Sequence, residues 1–130
     1  MPVGFEASEV STGLEFNALV TAFGGPSSED GSLYLMFQRA LEFSEEDAEL
    51  GMDAPYVEYC GQQWSWYDHM KSVQLERSAI TVRLDVEAAK SMGNDGIIEV
   101  RFSLDDAEFQ ALRAALRRTF DGASYFVDTC

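Results

Sequence analysis

Cys60 and His69 form the one pair in this chain whose side chains suit nucleophilic chemistry, an imidazole holding a neighbouring thiol as thiolate. They lie nine residues apart in YCGQQWSWYDHM, residues 59 to 70, which also holds both tryptophans and two of the five tyrosines. Several features argue against catalysis. Gly61 intervenes, no second histidine exists to act as base, and Asp68 points the wrong way along a strand to orient His69. A zinc centre would need Cys60, His69 and the terminal Cys130 to converge. The glycines at 24, 25, 51, 61, 93 and 96 never take the spacing of a phosphate cradle ahead of a helix. Glu45, Glu46, Asp47, Glu49 and Asp53 crowd into FSEEDAELGMD, but consecutive acids do not alternate ligands around a sharp glycine turn as a calcium loop does. The expectation is therefore a protein without catalytic residues, cofactor or metal.

Recognition and packing are the remaining uses of these side chains. Trp64 and Trp66 share one face of any strand, so both can be core, with Ser65 and Tyr67 outside. On an edge they would instead be binding anchors, with Gln62, Gln63 and Asp68 as a polar rim. Charge favours recognition. Residues 1 to 70 carry thirteen acids and one base, Arg39, for a net −12; residues 71 to 130 carry ten acids and eight bases, for −2. A field of that sign repels nucleic acid and anionic membrane and speeds capture of something basic. The expected partner-binding residues are the acids Glu45, Glu46, Asp47, Glu49 and Asp53, together with Gln62, Trp64, Trp66, Tyr67 and Asp68. An acidic surface also serves solubility alone.

These residues need a scaffold, and alternation of apolar and polar positions says it is mostly strand. The expected strands are Leu14 to Phe23, Ser32 to Leu41 and Pro55 to Cys60, then SVQLER and AITVRLD as a hairpin around Arg77 to Ala79, and IIEVRFSL. A helical turn over Glu87 to Met92 ends at GNDG. Asp105 to Phe120 is the one long helix: Asp105 and Glu108 make a capping box, and Phe109, Leu112, Leu116 and Phe120 form one stripe. Arg113, Arg117 and Arg118 suit its closing turns, and Gly122 its stop. The fold class is α+β, a mostly antiparallel sheet with one C-terminal amphipathic helix on one face, in a single domain spanning residues 1–130. Neither a leader nor a run of roughly 20 apolar residues is visible, so a soluble cytoplasmic protein with reduced thiols is expected.

The succession LYLMFQRA, ELGMD, YVEYCGQQ, SVQLERSAITVRLD and DDAEFQALRAALRRTF, from about Leu33 to Phe120, resembles family ten of the immunity proteins of bacterial polymorphic-toxin systems. The matching positions are Gln38, Arg39, Gly51, Asp53, Tyr56, Glu58 and Gln62; Tyr67, Asp68 and His69 stand where the family pattern has a tyrosine–glycine–glycine turn. The resemblance implies a small α+β protein that binds and neutralises a cognate toxin inside the cell, without enzymatic activity. Its expected partner is a cognate toxin domain, which the charge argument makes basic, as is a nuclease whose active site is built for phosphate. Without that resemblance the same features describe an acidic protein-interaction or regulatory module; a small hydrolase using Cys60 and His69 is the third reading.

Overall fold

The computed structural model describes residues 3–15, 18–25, 34–41, 55–60, 64–67 and 69–129. Among the described residues, ten strands make two five-stranded sheets. The first sheet is formed by β1 (Val3–Glu6), β7 (Met70–Leu75), β8 (Ala79–Leu84), β9 (Ile97–Arg101) and β10 (Phe126–Asp128), in the order β1-β9-β8-β7-β10. Its outer strands β1 and β10 pair in parallel, and the inner three are antiparallel. The second sheet is formed by β2 (Glu9–Glu15), β3 (Ala18–Gly24), β4 (Tyr34–Ala40), β5 (Tyr56–Tyr59) and β6 (Ser65–Trp66), in chain order and antiparallel throughout. Two helices complete the described structure, α1 (Val86–Met92) and α2 (Asp106–Thr119).

The expected α+β class with a C-terminal helix on a mostly antiparallel sheet is what the chain adopts, but with two sheets in place of one. Each sheet has one dry face. Val73, Leu75, Ile80, Val82, Ile98 and Val100 of the first and Phe23, Leu35, Phe37 and Val57 of the second are fully buried in one continuous core. The helix α2 adds Phe109, Leu112, Leu116 and the following Phe120 to that core, packing across β2, β3 and β4. In β3, β8 and β9 the alternation that marks the strand in the sequence is thus the alternation between the core and the outer face.

The chain passes between sheets at two places. Ala7 donates its amide to the Arg101 carbonyl of the first sheet at 2.7 Å, and Ser8 donates to the Gly24 carbonyl of the second at 2.8 Å. The second passage lies between β6 and β7, where His69 takes φ of 102°. The expected single strand from Leu14 to Phe23 is instead the hairpin of β2 and β3, with Glu15 paired to Ala18. The side facing α2 shows why: it carries the even positions Val10, Thr12 and Leu14 of β2, the last two still exposed on this edge strand, and the odd positions Leu19, Thr21 and Phe23 of β3, their direct partners. A continuous strand cannot change parity without a bulge.

The capping box of α2 forms as the sequence implies. The Asp105 carboxylate accepts the Glu108 amide at 2.7 Å, and Glu108 accepts the Asp105 amide at 3.2 Å. The helix closes at Phe120, whose amide bonds the Leu116 carbonyl, so the helix ends before Gly122, which lies in the ensuing turn at φ 81°.

Gly4 is required by the pairing of β1 with β9. A Cβ there would lie 1.7 Å from the Glu99 carbonyl oxygen, so no side chain fits in this register. Gly4→Val is therefore expected to displace β1 and destabilise the protein by about 1 to 3 kcal/mol, the usual cost of forced overpacking. Hydrogen exchange should show the amides of residues 3 to 6 losing protection first; unchanged protection would contradict the pairing.

Candidate functional site

Cys60 and His69 have separate structural partners. Cys60 follows β5 with φ of 54°, and its amide and thiol both donate to the Tyr34 carbonyl, at 3.0 and 3.5 Å. Burial pushes the thiol pKa up, the direction opposite to that of an activated nucleophile. His69 meets Asp85 instead: its Nδ1 lies 2.5 Å from the carboxylate, and its carbonyl accepts the Asp85 amide at 2.7 Å. Asp85 is also the N-cap of α1, accepting the Ala88 amide at 3.0 Å. That backbone bond, reinforced by His69, lowers the Asp85 pKa. The imidazole therefore pins the passage between the sheets onto the start of a helix, a structural use that the sequence spacing of sixteen residues conceals.

The aromatic residues of the same stretch line the edge of the second sheet. Trp64 and Trp66 are half-buried and both pack against the core, Trp64 stacking on Tyr59 with centroids 6.3 Å apart and Phe5 stacking on Tyr59 at 6.4 Å. Both tryptophans are thus partly buried side chains packed on the core at a sheet edge. Tyr67 is exposed, as expected, and its ring lies 4.9 Å from that of Tyr56. Glu45, Glu46, Asp47, Glu49, Asp53, Gln62 and Asp68 lie outside the described residues.

The group that sequence reasoning does not assemble is centred on Glu58. This carboxylate is only 7% exposed, and burying it requires donors. Two tyrosines supply them: the Tyr34 hydroxyl donates to Oε2 and the Tyr56 hydroxyl to Oε1, the latter at 2.7 Å. Among the described residues no cation pairs with Glu58. Tyr56 and Glu58 are visible in the sequence as neighbours on one face of YVEY, but Tyr34 joins them only through the pairing of β4 with β5. The one early signal was an acid within an otherwise apolar strand.

Burial raises the phenol of Tyr34 from its ordinary value of 10.0 to about 12, and its bond to Glu58 adds to the shift. Burial likewise raises Tyr59 to about 12. Tyr56 is raised too, again first by burial. All three stay protonated, so Tyr34 and Tyr56 remain donors to Glu58 at neutral pH. Because the folded values exceed the unfolded one, stability should be independent of these groups below about pH 10 and fall as pH rises from about 10 to 12. A spectrophotometric alkaline titration is expected to show these phenols ionising later than the free amino acid, or only on unfolding. All five tyrosines titrating together near pH 10 in the folded protein would contradict the arrangement.

The charge of the second sheet is one-sided as well. Arg39 is the sole base among residues 1 to 70, and it extends from the core side of β4 to the end of α2. There it donates to the Thr119 and Asp121 carbonyls at 3.1 and 2.6 Å, positive charge meeting the negative end of the helix dipole. By contrast, the bases of the C-terminal half are interleaved with acids: Arg113 and Arg117 both bond the Asp128 carboxylate, at 2.7 and 2.8 Å, and Arg77 pairs with Asp106 at 3.1 Å. Among the described residues, Arg39 is thus engaged by backbone carbonyls at the end of α2.

A comparison with curated proteins finds no match. The family model described as Immunity protein 10 matches residues 6–110, most of the chain, running from the end of β1 into α2 and including the Glu58 group and both tryptophans. The resemblance carried by LYLMFQRA and YVEYCGQQ thus agrees with this match, and the chain belongs to the Immunity protein 10 family.

Proposed function

We propose that this protein neutralises a cognate toxin by occlusion, setting its acidic N-terminal half against a basic functional surface of the toxin. Family membership supports the coarser part, an immunity protein directed at a toxin. The observation that carries the finer part is the charge imbalance: thirteen acids face one base in residues 1 to 70, and that base, Arg39, is engaged by the carbonyls at the end of α2. A nuclease is the toxin class that fits best, because its active site must attract phosphate and therefore presents lysine and arginine. The same side chains would be attracted to this protein, which acts as a competing polyanion without being a substrate. Binding, not turnover, performs the task, in the cytoplasm of the cell to be protected.

On this reading Glu45, Glu46, Asp47, Glu49 and Asp53 supply long-range attraction, and Gln62, Trp64, Trp66, Tyr67 and Asp68 supply contact. Co-expression with the C-terminal domain encoded by the adjacent upstream gene is the test. Survival of the host cell and co-purification of a stable complex are expected. Continued killing without a complex would overturn the reading, and a complex with an ordinary regulatory protein would favour an acidic interaction module instead.

A further inference from the structure

We infer that the outward face of the second sheet, centred on Tyr34, Tyr56, Glu58 and Tyr67, is the docking surface for a basic protein that inserts an arginine or lysine there. The inference rests on the proposed neutralisation of a basic toxin and adds the location and chemistry of the contact.

The face follows from strand alternation. On β4, Leu35 and Phe37 enter the core while Tyr34, Met36 and Gln38 point away; on β5, Val57 and Tyr59 enter while Tyr56 and Glu58 point away. Met36 pairs with Glu58 and Gln38 with Tyr56, so these outward side chains are direct cross-strand neighbours. The helix α2 covers the opposite face: it packs over β2, β3 and β4, and Phe120, just beyond its end, meets the inward Phe37 at 5.2 Å.

Tyrosine, methionine and glutamine pointing away from a core are suited to contact. Tyrosine offers a large ring with few rotatable bonds, and methionine adapts to the shape of a partner. The Tyr56 and Tyr67 rings are already packed together, and Tyr34 and Tyr56 are fixed by Glu58, so little order must be imposed on binding. Among the described residues, none of the side chains bonded to Glu58 is a cation. The Glu58 carboxylate is held by the Tyr34 and Tyr56 hydroxyls, and Arg39, the base on the neighbouring strand, leaves from the other side of the sheet. A partner cation set against the tyrosine faces gains a cation–π contact and the field of the carboxylate behind it. A phenol donating to a carboxylate is the more electron-rich for it, which strengthens that contact. An anionic or purely apolar partner would leave the Glu58 charge uncompensated.

The test measures affinity of the purified full-length protein for the toxin domain encoded upstream, used as a catalytically inactive variant, by titration calorimetry. Met36→Lys and Gln38→Lys each place a cation on the face and are expected to weaken binding on the order of 30-fold or more. Tyr67→Ala, at an exposed position, is expected to weaken it about 10-fold, and Glu58→Gln, which keeps an acceptor and removes the charge, by a similar factor. Thr81→Lys, on the outward face of the first sheet, should bind as the parent does. Melting temperatures identify any variant that is not folded, and Tyr67→Ala remains decisive if Met36→Lys unfolds. Parent-like affinity in folded Tyr67→Ala and Gln38→Lys, or a selective loss in Thr81→Lys, would overturn this surface while leaving toxin binding intact. Absence of any complex with the parent protein would overturn the toxin reading itself, and this surface with it.

Discussion

Replacing Phe120 by alanine is expected to cost about 3 to 5 kcal/mol of stability, the range for removing a buried phenylalanine from a packed core. The ring is 2% exposed and joins three parts of the fold. It meets Phe37 of β4 edge-on at 5.2 Å, Tyr125 edge-on at 5.9 Å, and Phe126 of β10 face to face at 5.2 Å with 5° between the planes. Each such pair adds about 0.5 to 1.5 kcal/mol beyond area burial. The Phe120 amide closes α2 on the Leu116 carbonyl, and substitution leaves that backbone bond available. The loss is therefore one of packing, and a cavity between sheet, helix end and C-terminal strand should raise the exchange of β10 amides first. Urea denaturation measures the change directly. A loss below about 1 kcal/mol would mean that the surrounding rings close the gap, or that they do not meet as described.

The second large effect is kinetic. Association with the toxin is expected to slow by about one to three orders of magnitude between low and high salt, because complementary charge accelerates encounter and ions screen it beyond roughly 10 Å at 0.1 M. Reversing Glu45, Glu46 and Asp47 to lysine should lower the rate at low salt and flatten its salt dependence. Stability should change little, since these acids stand in a polar, acid-rich segment between strands, where single charges typically contribute under about 1 kcal/mol. Stopped-flow mixing over a salt series distinguishes the alternatives. A parent rate indifferent to salt would remove electrostatic steering, and an unaltered slope in the triple variant would place the steering charges elsewhere in residues 1 to 70.

Both effects bear on the use of residues 59 to 70. The segment holds the types of residue that suggest a reaction, yet their bonds are spent on the fold: Cys60 on the Tyr34 carbonyl, His69 on Asp85, Trp64 on Tyr59. The surface proposed for recognition has the exposed Tyr67, and beside it Tyr56, which bonds the Glu58 carboxylate.

The sequence by itself determined what depends on neighbours along the chain. The hairpin of β7 and β8 was legible because Val73, Leu75, Ile80 and Val82 alternate around a tight reversal, and α2 because Asp105 and Glu108 bond within one turn. The acidic imbalance was legible because charge is counted without coordinates. The tertiary structure alone decided what depends on distant partners. That the strands divide into two sheets has no local signature, since a strand buries alternate residues in the same way whichever sheet it joins. The parallel pairing of β1 with β9 joins residues far apart in the chain, Val3 with Ile98, and Gly4 becomes intelligible only when Glu99 lies against it. Likewise Tyr34 reaches Glu58 across twenty-four residues, and Asp85 reaches His69 across sixteen. Local periodicity is set by backbone geometry and solvent, whereas contacts between distant residues are chosen by whichever packing of the whole chain buries the most apolar surface while leaving the fewest polar groups unpaired.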